Sequence, residues 1–580
     1  MTGSAGPGGT NGEGPAAEAG SHRAAHRRGG WQRPVAEPRD RRTVVVRSLA
    51  LGVVALAVAA AVAVDGDDDT AAAPPTPAAA LMPAVAPASR GSSTWYCAAG
   101  TAVPDGEADH TVVMANAGDE PAAATLDVVP GDVRRPGTPV SPLPDAATRP
   151  VTIAPRSRVE VRLGDVVAAP LAAAVVEVDG PGVAVEHRVS GPHGADVAPC
   201  ASFAAPAWHF AWGSTTRDAR ELVVLFNPFP SPATVDATFT TEDGPREPVR
   251  LQGFPVPARS VVGIDVGDDV TRSEQVAATF RARSGRVVAE RVERLDGSLG
   301  YEGLSLGLGA PGAAGRWAFA DGVASAPSPE VPAAGGGNEN AAATTTTTAP
   351  ATTTTAVREP EQPTATERIV VYNPGDERAR VTVELRPTPG SGEDAGPLPP
   401  PFRLTVGPGG YEVVDYGAQP RVVAGQPHAT VVRSTNGVAV VAERVTVDTG
   451  PRRRSGTVPG EITASPGSPY GAEQWAFPTL ALGDDGTTTF SVFNPDPDRA
   501  VRVEVAALTG AAGSTGATVA QAPPGGRVAV PFDAGMAAGA AGVVVRASAP
   551  VVAERTVQRA DGLREAQGAG LPLLDAAAPL

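Results

Sequence analysis

Outside one apolar run near the N-terminus, hydrophobic positions recur every second residue. Val501–Val505 (VRVEV) and Val381–Leu385 (VTVEL) put aliphatic side chains on one face and polar ones on the other, and Val235, Ala237 and Phe239 repeat the pattern. That period marks half-buried strands. Pro/Gly turns follow at Pro257, Pro408 and Pro524, with a fourth at Pro155, and lead into other alternating runs such as Val159–Leu163 or Val528–Phe532. Ala429–Arg433 and Val438–Arg444 flank Asn436-Gly437, a favoured two-residue hairpin turn. No sustained helical period appears beyond the apolar run. Six to seven short strands in about 100 residues predict antiparallel β-sandwiches of immunoglobulin-like type.

The strands fall into four copies of one plan. Each copy starts at a tryptophan (Trp95, Trp208, Trp317, Trp475), continues to a strand ending in Asn-Pro, and closes on Val-Val-Ala-Glu-Arg. The Asn-Pro steps begin at Asn227, Asn373 and Asn494, with Asn116-Ala117 as a degenerate first copy. The closing runs are Val287–Arg291, Val440–Arg444 and Val551–Arg555, weakened to Val183–Arg188 (VAVEHR) in copy one. From Asn to Glu the spacing is 70, 63, 70 and 60 residues, too long for solenoid turns and suited to consecutive domains. The expected units are repeat 1 (91–205), repeat 2 (206–312), repeat 3 (313–460) and repeat 4 (461–580). A Thr/Pro-rich tract at 323–366, expected to be disordered, interrupts repeat 3.

Thr43–Val64 is apolar except for Arg47 and Ser48, and 22 helical residues reach about 33 Å, enough to span a bilayer. Residues 1–47 carry eight arginines against four acids, while Asp65, Asp67, Asp68 and Asp69 follow. The positive-inside rule then puts a disordered head (1–42) in the cytoplasm. An anchor at 43–64, an Ala/Pro spacer at 65–90 and exported repeats follow it. Cleavage after Ala61–Ala63 would give a secreted form instead. The two cysteines, Cys97 and Cys200, bracket repeat 1, and export predicts a disulfide between them.

Charge narrows the partners. The chain has a net charge of −16, and its 47 basic residues are all arginine. With the basic head set aside, the rest is more acidic still, which excludes a nucleic-acid surface. A membrane is the one partner expected outright, with wall polysaccharide or envelope proteins as further candidates.

Candidate chemistry is sparse. Gly303–Gly307 (GLSLG) has the letters of a nucleophile elbow, but that motif needs a strand-to-helix turn and the context is all-β. Gly307–Gly312 matches G-x-G-x-x-G with no helix to follow. Asp448–Gly450 is half of an aspartic-protease dyad without its second half. The seven histidines show no metal-ligand spacing. No catalytic, cofactor or metal site is expected. Glu186, Glu290, Glu443 and Glu554 share a strand face with aliphatics, and such a carboxylate needs a partner. They are expected to pin the fold, or else to bind a repeating ligand. Asn227, Asn373 and Asn494 are expected to end their strands in Asx turns.

The basic head, the Thr43–Val64 anchor, Trp95-Tyr96-Cys97 at the domain start and the recurring Asn-Pro and Val-Val-Ala-Glu-Arg runs resemble an uncharacterised actinobacterial family of membrane-anchored cell-envelope proteins. The runs also resemble, more loosely, repeats of bacterial extracellular β-sandwich arrays. Neither resemblance implies an activity or site residues. The function expected is a non-catalytic, anchored scaffold or binding protein. The alternatives are an accessory subunit of an envelope enzyme or transporter and, last, an enzyme with a cryptic site.

Overall fold

The structure, a computed structural model, describes residues 81–86, 91–138, 142–298, 302–324, 364–388, 398–450, 460–480, 486–509, 517–532, 539–573 and 577–579. The head, the anchor, most of the spacer and nearly all of the 323–366 tract lie outside the described residues. Among the described residues there is no α-helix, and none long and apolar enough to cross a membrane.

Repeat 1 sets the pattern. Its strands are β1 (Ser92–Cys97), β2 (Asp109–Asn116), β3 (Ala122–Val133), β4 (Ala147–Ile153), β5 (Arg158–Arg162), β6 (Leu171–Asp179), β7 (Val183–Gly191) and β8 (Gly194–Pro199). One sheet has the order β1-β6-β3-β4 and the other β5-β2-β7-β8. Alternation in β3 turns Ala122, Ala124, Leu126 and Val128 inward, against Val112 and Met114 of β2 and Trp95 of β1. Each repeat centres on its starting tryptophan, and all four are essentially inaccessible to water. Such a side chain removes about 150–250 Å² from water, worth about 4–6 kcal/mol before entropy is counted.

The other repeats follow the same order. In repeat 3, Arg316–Phe319, His428–Ser434, Ala379–Pro387 and Phe402–Val406 form one sheet. Tyr411–Asp415, Thr364–Tyr372, Val441–Thr449 and Gly460–Pro466 form the other, so repeat 3 runs past its expected end at residue 460. In repeat 4 one strand, Val543–Gln558, serves both sheets in turn, pairing first with Tyr470–Phe477 and Val501–Ala507 and then with Thr487–Phe493. The pairing corrects the immunoglobulin-like expectation, since there the first two strands share a sheet. Here they lie in opposite sheets. Just past the Trp strand the backbone N–H groups are bonded to the Glu of the next repeat, where the chain leaves that sheet.

The repeats are joined into a ring. The last strands of the four repeats, β8, Glu302–Leu308, Gly460–Pro466 and Arg564–Ala569, each pack against the two neighbouring last strands, and the fourth returns to the first. Repeats 1 and 2 are further fused where Gly131–Val133 of β3 pairs in parallel with Val261–Gly263. Upstream, Val85 bridges to Leu573, so the entering chain lies beside the end of repeat 4. Cys97 and Cys200 form a disulfide across a sequence separation of 103 residues. A loop that long is worth about 4–5 kcal/mol in the chain-entropy view.

Candidate functional site

The repeated Asn side chain is a staple. Asn373 Nδ2 donates to the carbonyls of Glu377 (2.7 Å), Val406 (3.2 Å) and Gly407 (3.0 Å), while its Oδ1 accepts from Gly375 N–H (3.1 Å). Asn227 binds Ser231, Val256, Pro257 and Phe229 in the same way, and Asn494 binds Arg499, Ala522, Pro523 and Asp496. Asn116, left out of the expected set because Ala117 replaces proline, does the same with Glu120, Ile153, Ala154 and Gly118. The amide carries the motif. The proline is dispensable.

The repeated Glu reaches into the neighbouring repeat. Glu443 accepts from Ala211 N–H (3.0 Å) and Trp212 N–H (3.2 Å) of repeat 2, three and four residues past Trp208. Glu290 accepts from Ala98 N–H (3.0 Å) and Ala99 N–H (2.7 Å) of repeat 1, at the same offsets from Trp95. Glu554 takes Asp321 N–H of repeat 3 at 2.9 Å, and Glu186 takes Thr479 N–H of repeat 4 at 3.0 Å. All four carboxylates are at most 1% exposed.

Each carboxylate is met by the residue after the previous repeat's Glu. Arg291 Nη1 lies 3.2 Å from Glu443, Arg444 Nη1 2.8 Å from Glu554, and Arg555 Nη1 2.9 Å from Glu186. The same Nη1 atoms donate to the carbonyls of Trp212, Asp321 and Thr479, the fourth residues past the tryptophans. The guanidiniums rest near the aromatics Phe210 and Trp212, Phe319 and Phe477, at 5.1–5.9 Å from ring centroids. Burial raises the carboxyl of Glu554 above its ordinary value, with Arg444 opposing the rise. Burial also works to lower Arg444, but Glu554 and Glu367 outweigh it and the guanidinium is held charged. Isolated buried ions are costly, and here each is paired and hydrogen-bonded.

Repeat 1 departs from this. His187 stands where the others have arginine, with Nε2 3.3 Å from Glu290. Its Nδ1 is 2.8 Å from His110 Nε2, and His110 Nδ1 is 2.8 Å from Ala172 C=O. A carbonyl only accepts, so His110 carries its proton on Nδ1 and accepts from His187. Burial drives His110 well below the usual histidine range and keeps it neutral. Cys97 occupies the position of Phe210, Phe319 and Phe477, so the disulfide replaces the Arg–aromatic contact. The Arg partners stood in the quoted closing runs. Trp-x-Phe, broken only in repeat 1, was the signal that could have found their platforms.

Other buried acids crowd the junction of repeats 2 and 3. Glu221 and Glu293 sit directly opposite each other on paired strands, fully buried, and among the described residues no side chain is hydrogen-bonded to any of their four oxygens. Burial pushes Glu221 up to about 8, and burial with the Glu221 charge puts Glu293 well above its ordinary value.

The remaining sequence motifs take structural positions. Ser305 of GLSLG lies within Glu302–Leu308, where its hydroxyl donates to Asp196 (3.2 Å) and accepts from Ala464 N–H (3.1 Å). Gly303 allows the close approach of the next last strand, since a Cβ there would come within 2.8 Å of Ile462 Cγ2. Asp448 accepts from Arg564 N–H at 2.9 Å. No group of three or more His, Cys, Asp or Glu side chains suited to a metal occurs among the described residues.

Comparison with curated proteins gives no match. A crystal structure of a tetra-tandem repeat in the extending region of a large adhesion protein is 12% identical over 83% of this chain and 99% of that one. Its TM-score is 0.09, too low to carry an argument. Residues 187–305, from the end of repeat 1 through repeat 2, match DUF5719, a family of unknown function.

Proposed function

We propose that the chain is a non-catalytic, membrane-anchored, extracytoplasmic scaffold or binding protein of a bacterial cell envelope, its four repeats acting as one rigid body. The observation that carries this reading is the use of the repeated polar residues. The four Glu side chains are buried between repeats and spent on holding neighbours together. A repeated exposed site for a polymer would need those carboxylates at the surface. Export is supported by the Thr43–Val64 run with its flanking charges and by the Cys97–Cys200 disulfide, which suits an oxidising compartment.

Two measurements test the proposal. Protease added outside intact cells should digest the repeats and spare the first 42 residues; full protection of the repeats would sink it. Crosslinking in cells followed by purification should then recover an envelope polysaccharide or protein in a fixed ratio. Recovery of one envelope enzyme or transporter whose activity falls without this chain would favour the accessory-subunit reading.

A further inference from the structure

Repeats 1 and 2 enclose a cleft of about 440 Å³ beside their parallel strand contact. Its floor is aliphatic: Leu171, Leu222, Val292 and Leu304 are all buried. Its walls carry four guanidiniums, on Arg134, Arg135, Arg220 and Arg294, against the carboxylates of Asp105, Glu107 and Asp132. The cleft thus gathers four guanidiniums in a chain of net charge −16. No aromatic side chain of the described residues lines it, and a neutral sugar ring favours such a stacking surface.

Glu107 shows what the cationic wall accepts. Carried on the loop between β1 and β2, its carboxylate lies 2.7 Å from Arg220 Nη1 and 3.9 Å from Arg294 Nε. That Nε is buried and has no hydrogen-bond partner, while Arg220 is also held by Asp265 at 2.8 Å. Arg134 and Arg135 have no carboxylate of the described residues within 4.0 Å, and Arg134 N–H is fixed to Gly263 C=O at 2.8 Å. A guanidinium with open donors takes a carboxylate or phosphate by charge-assisted hydrogen bonds. A cavity of this size matches a small ligand.

We propose that this cleft binds a small amphipathic anion, an aliphatic chain bearing one carboxylate or phosphate, with Glu107 standing where the anionic head sits. The chain lies on the leucine and valine floor, and the head is taken by Arg220 and Arg294, with Arg134 and Arg135 adding charge from the same lining. Binding displaces the Glu107 carboxylate from Arg220 and Arg294, so the protein's own acid competes with the ligand.

That competition gives the test an unusual sign. The full chain in phosphatidylcholine nanodiscs, with empty nanodiscs as reference, is titrated calorimetrically with hexyl phosphate, hexanoate, hexanol and inorganic phosphate. At least one of the two amphipathic anions should bind saturably, and which of them does identifies the head group; hexanol and phosphate alone should not bind. Glu107→Gln should tighten binding, and the double change Arg134→Ala, Arg135→Ala should weaken it, each by at least about threefold, the scale of partly exposed ion pairs. Thermal unfolding of both variants should match the parent, which separates lost binding from lost fold. Four flat titrations would overturn the proposal. So would hexanol binding as well as the anions, phosphate binding as well as hexyl phosphate, or equal affinity in all three proteins.

Discussion

At the scale of single residues, the repeat is held by side chains that close the backbone's open hydrogen bonds. An Asn that satisfies three carbonyls and one N–H replaces four solvent contacts at a strand end. Asn494→Ala should cost about 1–3 kcal/mol, because the carbonyls it serves are left partly buried without donors, and a fall in the thermal midpoint reads it out. The Pro turns show the reverse. Arg156, Arg259, Gly409 and Gly525 take equivalent places in the four turns, all with φ between 49° and 61°. Glycine meets no penalty there and arginine does. Arg259→Gly should therefore raise stability by about 0.5–1 kcal/mol, visible as a higher denaturant midpoint at constant slope. Arg156 is a poorer choice, since it also pairs with Asp119 at 2.7 Å. The Asn and the turns were legible in the sequence because their chemistry is local. Asn116 was hidden only by the weight placed on its neighbour.

At the scale of elements, the closing strands carry polar locks that no spacing rule reveals. Arg291 and Glu443 are 152 residues apart, Arg444 and Glu554 110, and Arg555 and Glu186 369. Alternation says which face a residue occupies but not which strand lies across from it. For that reason both the pairing order and the partners of the four Glu were out of reach, although their need for partners was not. Arg444→Met leaves Glu554 buried with less than its share of donors and should cost about 3–5 kcal/mol. Adding Glu554→Leu should recover much of that loss, and a double-mutant cycle by denaturant unfolding measures the coupling. The buried acids with raised values predict a pH response. Burial holds Asp196, Glu221 and Glu461 at about 8, whereas unfolded carboxyls ionise near 4. Their contribution is complete below the unfolded value and is lost as pH rises through about 8. His110 acts oppositely, its share being lost as pH falls below the unfolded histidine value of about 6.5. Stability should thus decline between pH 7 and 8.5, where His110 is neutral folded or unfolded, and Glu221→Gln should make that decline shallower. A thermal midpoint unchanged over that range would contradict the burial of these acids.

At the scale of the whole molecule, four copies of a sandwich are closed into one ring. Each repeat supplies an acid to its predecessor and, except for His187 in repeat 1, an arginine to its successor; the circuit closes where repeat 1 gives Glu186 to repeat 4 and repeat 4 gives Arg555 to repeat 1. Calorimetry of the full chain should show one main transition for the repeats, not four separate ones. Arg555→Met, which opens the lock between repeats 4 and 1, should lower that transition as much as opening any interior lock. The count of repeats was legible from the tryptophans, but nothing in a linear pattern announces that the row bends round to meet itself.

The contact of Val85 with Pro572 and Leu573 has a mechanical meaning. Val85 N–H donates to Pro572 C=O at 2.9 Å, and Ala84 N–H to Ser202 Oγ at 3.2 Å. The chain therefore enters the ring where it also leaves it, like the two ends of a belt meeting at the buckle. A pull applied at residue 81 bears first on Pro572 and on Ser202 at the end of repeat 1, and only afterwards on β1. Force is shared across the seam and cannot peel the repeats away one at a time.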